Sequence, residues 1–122
     1  MFNSTTGIML YVQDVLAEKA FWQALGFVIE DEGEMMGYPH FSMRPNAVAG
    51  TVFTVFDKAF IEQHSPEVAS NVPSVLFESS DIHALREKVA ALTETASPVQ
   101  EIPFLTFNFA SPSGIYFAVK GV

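Results

Sequence analysis

Gly7-Ile8-Met9-Leu10-Tyr11-Val12-Gln13-Asp14, with a following segment that closes on Trp22-Gln23-Ala24-Leu25-Gly26-Phe27, has a counterpart later in the chain. That counterpart is Ser74-Val75-Leu76-Phe77-Glu78-Ser79-Ser80-Asp81, with a segment closing on Val89-Ala90-Ala91-Leu92. Both read as an apolar strand that stops at an Asp and hands over to an amphipathic helix. Val15 answers Ile82, Trp22 answers Val89 and Leu25 answers Leu92. An internal repeat of this kind decides the architecture before any single residue does.

Working outward, Asp14 and Asp81 stand where an N-cap accepts from the first free amides of a helix. Helices are expected over residues 15–25 and 82–92. Glu18, early in the first, suits the positive end of the helix dipole, and Gly26 sits where a left-handed C-cap belongs. In the second, Ile82, Leu85, Val89 and Leu92 form one apolar face. Further strands are expected at 27–29, running into the acidic stretch Glu30-Asp31-Glu32-Gly33-Glu34, and at 38–43, 51–56, 98–102, 104–110 and 115–120. Residues 57–63 suit a short helix, and Ser111-Pro112-Ser113-Gly114 a tight turn. The expected fold is α+β: one domain over residues 1–122 made of two β-α-β-β-β repeats, 7–57 and 73–120, joined by a linker at 58–72.

Composition excludes several classes. Hydrophobic residues make up 49% of the 122, too many for a disordered chain. No apolar run approaches the roughly 20 residues of a membrane span, and Met1 to Thr6 lack the features of a signal peptide. Cytoplasm is the default expectation. With no cysteine there is no thiol catalysis, disulfide or thiolate metal site. Fourteen acids against six bases leave a formal charge of −8, which speaks against a nucleic-acid partner. The acidity serves solubility, or it attracts a cationic ligand.

A strand that packs one face under a helix must send alternate side chains elsewhere. Leu10, Val12, Val75 and Phe77 are expected under the helices, while Gly7, Met9, Tyr11, Ser74, Leu76 and Glu78 face away. Two curved halves brought together would enclose those residues in a shared cup.

At this point the chain resembles the vicinal oxygen chelate superfamily of glyoxalases, extradiol dioxygenases, and fosfomycin- and bleomycin-resistance proteins. The matching residues are Leu10-x-Val12-x-Asp14, Phe21-Trp22-x-x-Leu25-Gly26-Phe27, Phe77-Glu78-x-x-Asp81 and Phe107-Asn108-Phe109-Ala110-Ser111-Pro112-Ser113-Gly114. The resemblance implies the cup-shaped mixed sheet with helices outside, and a homodimer. It also implies that metal-dependent members place ligands at positions corresponding to Gly7, Ser74 and Ala118, with a fourth near Phe53 or Thr54. Gly and Ala offer no donor atom and a lone Ser hydroxyl is a poor one. No bound metal and no cofactor are therefore expected.

Other chemistry is sparse. No Gly-x-Ser-x-Gly elbow or glycine-rich phosphate loop is present. His40 could hydrogen-bond a ligand or serve as a base from the third strand, or be structural. Glu78 could bind a cation, or be a rim residue hydrated by water or paired with an arginine such as Arg44. His83 and His64 read as surface residues. Met35, Met36 and Tyr38 could form a lid or a partner contact.

What remains is apolar surface: twelve Phe, three Tyr, one Trp and five Met. The candidate ligand-binding residues are Met9, Tyr11, His40, Phe53, Leu76, Glu78, Phe107 and Tyr116. They suit a metal-free protein, similar to the bleomycin-resistance branch, that sequesters an aromatic or cationic small molecule. Two alternatives stay open: a glyoxalase-like lyase or dioxygenase using His40, Glu78 or Tyr11, and a dimeric interaction module with a filled cup.

Overall fold

In the computed structural model, which describes residues 1–122, the first repeat folds as the alternation dictates. Strand β1 (Thr6–Val12) leads into helix α1 (Val15–Ala24), then β2 (Val28–Met35), β3 (Tyr38–Arg44) and β4 (Thr51–Asp57). Helix α2 (Lys58–His64) follows at once. The four strands form one sheet in the order β1-β4-β3-β2, with β1 parallel to β4 and the other pairs antiparallel. The second repeat consists of β5 (Leu76–Ser79), α3 (Ile82–Ala90), β6 (Thr106–Ala110) and β7 (Tyr116–Gly121). Its three strands take the order β5-β7-β6. The chain divides into two compact units, Met1–Pro73 and Ser74–Val122, so α2 belongs to the first.

The repeat is visible in the caps. An Asp14 carboxylate oxygen accepts from the Ala17 amide at 3.0 Å, and Asp81 accepts from the Ala84 amide at 3.3 Å. Val15 and Ile82 are both buried, as are Trp22 and Val89. Helix α1 ends in a Schellman motif. Gly26 takes φ +94°, its amide donates to the Gln23 carbonyl, and the Phe27 amide reaches back to the Trp22 carbonyl. The Phe27 ring then lies 4.7 Å from that of Trp22, the apolar contact that accompanies the motif. Helix α3 has no glycine there, and it stops at Ala90, with Ala91 as its C-cap, two residues short of the expected end.

Three expectations are corrected. The segment 98–102 is not a ladder strand; a single bridge pairs Gln100 with Thr106, and the second sheet has one strand fewer than the first. Pro98 and Pro103 bracket it, and neither carries an amide to donate across a ladder. The strand expected at 27–29, by contrast, does not end in the acidic stretch. Strand β2 runs through it, accommodated by a register shift between Glu30 and Gly33 with Asp31 at φ +51°. Pairing to β3 supplies the backbone bonds, while Lys19 and Arg44 take the Glu32 and Glu30 carboxylates at 2.6 and 2.8 Å. Met36 and Gly37, both at positive φ, then make the two-residue turn into β3. Tyr38 is no free lid residue either. Its ring lies 5.7 Å from Phe60 of α2, and its hydroxyl accepts from Gln63 at 3.0 Å.

The core of the first unit lies between α1 and its sheet. Leu10, Val12, Trp22, Phe41, Met43, Phe53 and Val55 are all buried. Glu18 is buried with them and accepts from Trp22 Nε1 at 3.2 Å, so its place in the helix serves packing as well as the dipole. In the second unit Phe77 and Phe109 both stack on Phe117, at 5.8 and 5.7 Å, beside buried Ile82, Val89, Phe107 and Val119.

Candidate functional site

In each sheet, the side facing α1 or α3 is closed and the other is partly open, with α2 covering one end of that side in the first sheet. Cross-strand partners share a face, so the registers of the first sheet place Met9, Thr54 and Ser42 in one row of its open side. Tyr11, Phe56 and His40 form the next. Met9 is 45% exposed, and Tyr11 and His40 are half-buried. The Tyr11 hydroxyl rests 3.9 Å from the Met9 sulfur, and the Ser42 and Thr54 hydroxyls share a hydrogen bond of 3.2 Å.

His40 stands over β2 because its partner there is Gly33. A Cβ on Gly33 would meet the imidazole Nε2 at 3.4 Å. The ring lies 5.8 Å from that of Phe56, and no side chain holds the imidazole through a hydrogen bond. Phe56 stacks in turn on Phe60 of α2 at 6.1 Å, and Phe60 carries His64 at 4.8 Å. The result is an aromatic ladder, His40–Phe56–Phe60–His64, running from the sheet onto the helix.

The open side of the second sheet carries Leu76, Ala118 and Asn108 in one row, and Glu78, Lys120 and Thr106 in the next. Tyr116 stands beside them on β7, 62% exposed. Glu78 is exposed and has no arginine partner, because Arg44 is committed to Glu30 and to the Ala49 carbonyl within the first unit. Lys120 leans over Phe104, 5.6 Å from the ring centre. A hollow of about 380 Å³ opens on this face, lined by Ser74, Val75, Asn108, Tyr116, Phe117 and Ala118. A second hollow, of about 410 Å³, lies beside α3 between His83, Arg86, Glu87, Pro98 and Val99. There the Arg86 guanidinium is spent on the Ser97 and Ala96 carbonyls, tying the 96–99 segment to the helix.

Of the sequence candidates, Met9, Tyr11 and His40 thus gather on the open face of the first sheet, and Leu76, Glu78 and Tyr116 on that of the second. Phe53 and Phe107 do not join them. Both are about 1% exposed, Phe53 against Phe27 at 6.4 Å and Phe107 against Phe109 at 6.1 Å, on the core side of their sheets. Phe56, which takes the place expected for Phe53, was hidden by Thr51-Val52-Phe53-Thr54-Val55-Phe56. That run has a period of three, so each face of the strand receives two apolar residues and one Thr. Asn108, by contrast, is marked by the simple alternation Phe107-Asn108-Phe109.

The positions that correspond to metal ligands do not fit a divalent cation. Gly7 and Ala118 carry no donor, Ser74 carries one hydroxyl, Phe53 is buried, and Thr54 is bonded to Ser42. A Cβ at Gly7 would meet only the Val52 carbonyl oxygen at 3.8 Å, so lack of space does not explain the missing side chain. Nowhere do three His, Asp or Glu side chains converge as a cation requires.

No family model matches the chain, and no curated protein matches it in sequence. Solved structures do match over nearly its whole length. The antibiotic binding protein TnmS3 from Streptomyces sp. CB03234 is 13% identical, with 98% of this chain and 96% of that one covered at a TM-score of 0.74. A glyoxalase/bleomycin resistance protein from the same organism is 16% identical, covering 96% and 99% at 0.71. A lactoylglutathione lyase from Agrobacterium tumefaciens is 16% identical, covering 98% and 94% at 0.69. Identities this low speak for the fold and not for an activity: the chain has the mixed α+β fold of the glyoxalase/bleomycin resistance protein/dioxygenase structures.

Proposed function

We propose that this chain is a small-molecule binding protein that sequesters an aromatic or cationic ligand against the open faces of its sheets, and that it does so as a homodimer. The observation that carries the reading is the face built from Met9, Tyr11, His40 and Phe56. It is aromatic and soft, partly accessible, and continuous with the ladder onto α2. Thioether and aromatic surfaces gain most from a flat, polarisable partner. The charge of −8 adds attraction for a cation. Support also comes from the fold being shared with an antibiotic binding protein, and from the poverty of donors where that fold would place a metal. His40 lacks the orienting partner that a general base needs.

The test is a titration of the purified protein with proflavine, a planar cation, and with bleomycin, followed by calorimetry and by NMR of the methionine methyls. Binding should shift the Met9 methyl, and Tyr11→Ala should weaken it several-fold. Absence of heat and of shifts with both ligands overturns the reading. So does stoichiometric Zn, Ni, Mn or Fe in protein purified without chelator, which would favour a glyoxalase-like enzyme. Light scattering that finds only a monomer removes the homodimer.

A further inference from the structure

The hollow on the second sheet has a specific origin. Ala118 occupies the middle of the central strand β7, and its register partners are Leu76 on one side and Asn108 on the other. Opposed side chains stand about 5 Å apart, so the Ala118 methyl beside the longer Asn108 leaves a depression with Ala118 as its floor. Asn108 and Tyr116 make its walls, and Ser74 lies at its rim. Val75 and Phe117 belong to the other face by alternation, so it is their main chain that reaches the hollow.

Two features define what fits. Asn108 is held by its backbone, because its amide donates to Ser97 Oγ at 2.9 Å and its carbonyl accepts from the Ser97 amide at 2.9 Å. Its carboxamide makes no hydrogen bond within the chain and presents a donor and an acceptor side by side. None of the six lining residues carries a carboxylate, ammonium, guanidinium or imidazole group. The nearest charged groups of this face, Glu78 and Lys120, belong to the next row, and Lys120 is turned to Phe104.

We infer that this hollow is a subsite for a neutral, planar ring bearing an amide or lactam edge. The edge pairs with the Asn108 carboxamide through two hydrogen bonds, the ring lies against Tyr116, and Ser74 offers a further hydroxyl. The inference rests on the small-molecule binding reading above and sharpens it: at this face the ligand is recognised as a neutral amide, not as a cation.

The probe is nicotinamide, with nicotinate as its charged isostere, titrated into ¹⁵N-labelled protein at millimolar concentration. Nicotinamide should shift the Asn108 side-chain NH₂ and the Tyr116 amide, and bind about tenfold more tightly than nicotinate, as the loss of one paired hydrogen bond dictates. Asn108→Leu keeps the wall but removes both hydrogen bonds and should cost on the order of a hundredfold in affinity, about tenfold for each. Ala118→Leu fills the floor and should abolish the shifts, with spectral dispersion reporting that each variant is folded. Equal binding of nicotinate, unchanged affinity in Asn108→Leu, or no shift at Asn108 overturns the inference. Proflavine added to the same samples separates the two readings. If it shifts Met9 while nicotinamide leaves Asn108 unmoved, only the amide subsite is lost.

Discussion

Tyr116 and Phe117 are neighbours in sequence and opposites in the structure, which makes them a direct test of which face is core and which is site. Phe117 is 2% exposed and has Phe77 and Phe109 stacked on it. Truncation of a buried phenylalanine to alanine costs about 3–5 kcal/mol through lost transfer energy and the cavity left behind. For a chain of 122 residues, with an unfolding entropy of roughly 2.1 cal/mol/K per residue, that is a fall in Tm of about 12–20 °C. Tyr116 is 62% exposed and accepts or donates no hydrogen bond within the chain. Tyr116→Ala should therefore change stability by no more than about 0.5 kcal/mol, or roughly 2 °C, while weakening nicotinamide binding. Scanning calorimetry of the two variants beside the parent protein reads both effects. Comparable losses in the two, or a loss below about 1 kcal/mol for Phe117→Ala, would refute the assignment of faces and with it the site.

The buried Glu18 supplies a second test. Glu18→Ala deprives the Trp22 indole of this acceptor and should cost about 1–3 kcal/mol in urea unfolding, whereas Glu18→Gln retains an acceptor oxygen and should cost less; equal losses would show that the hydrogen bond contributes little. The repeat predicts that Asp14→Ala and Asp81→Ala each lose about 1 kcal/mol by removal of an N-cap, measurable by the same method, and a neutral result at both would deny the caps their role. At Gly121 a Cβ would come within 3.0 Å of the Leu105 Cβ and 3.3 Å of the Ile82 Cγ2. Gly121→Ala should lower the Tm through this overpacking, and an unchanged Tm would show that Leu105 yields freely. Treatment with EDTA should leave the Tm unchanged, since no donor set stands where a cation would bind; a fall would reveal a structural metal.

How much of this was legible in the chain depends on whether the signal was local. The repeat was legible because an Asp cap and the apolar positions behind it are short-range patterns, and α1 and α3 both start where expected, directly after Asp14 and Asp81. The alternation of β1 and β5 placed Met9, Tyr11, Leu76 and Glu78 on open faces from the sequence alone. Only the tertiary structure decided the rest, because it depended on partners distant in sequence. The period-three run of β4 has no preferred face until Val55 and Phe53 pair beside Leu10 and Ile8 on the core side. The acidic stretch became a strand because β3 supplied hydrogen bonds and Lys19 and Arg44 supplied counter-charges. Residues 98–102 stayed outside the ladder, flanked by prolines with no amide to donate. The hollow over Ala118 depends on strand register, which sets Asn108 of β6 beside that methyl group with Tyr116 and Ser74 near it.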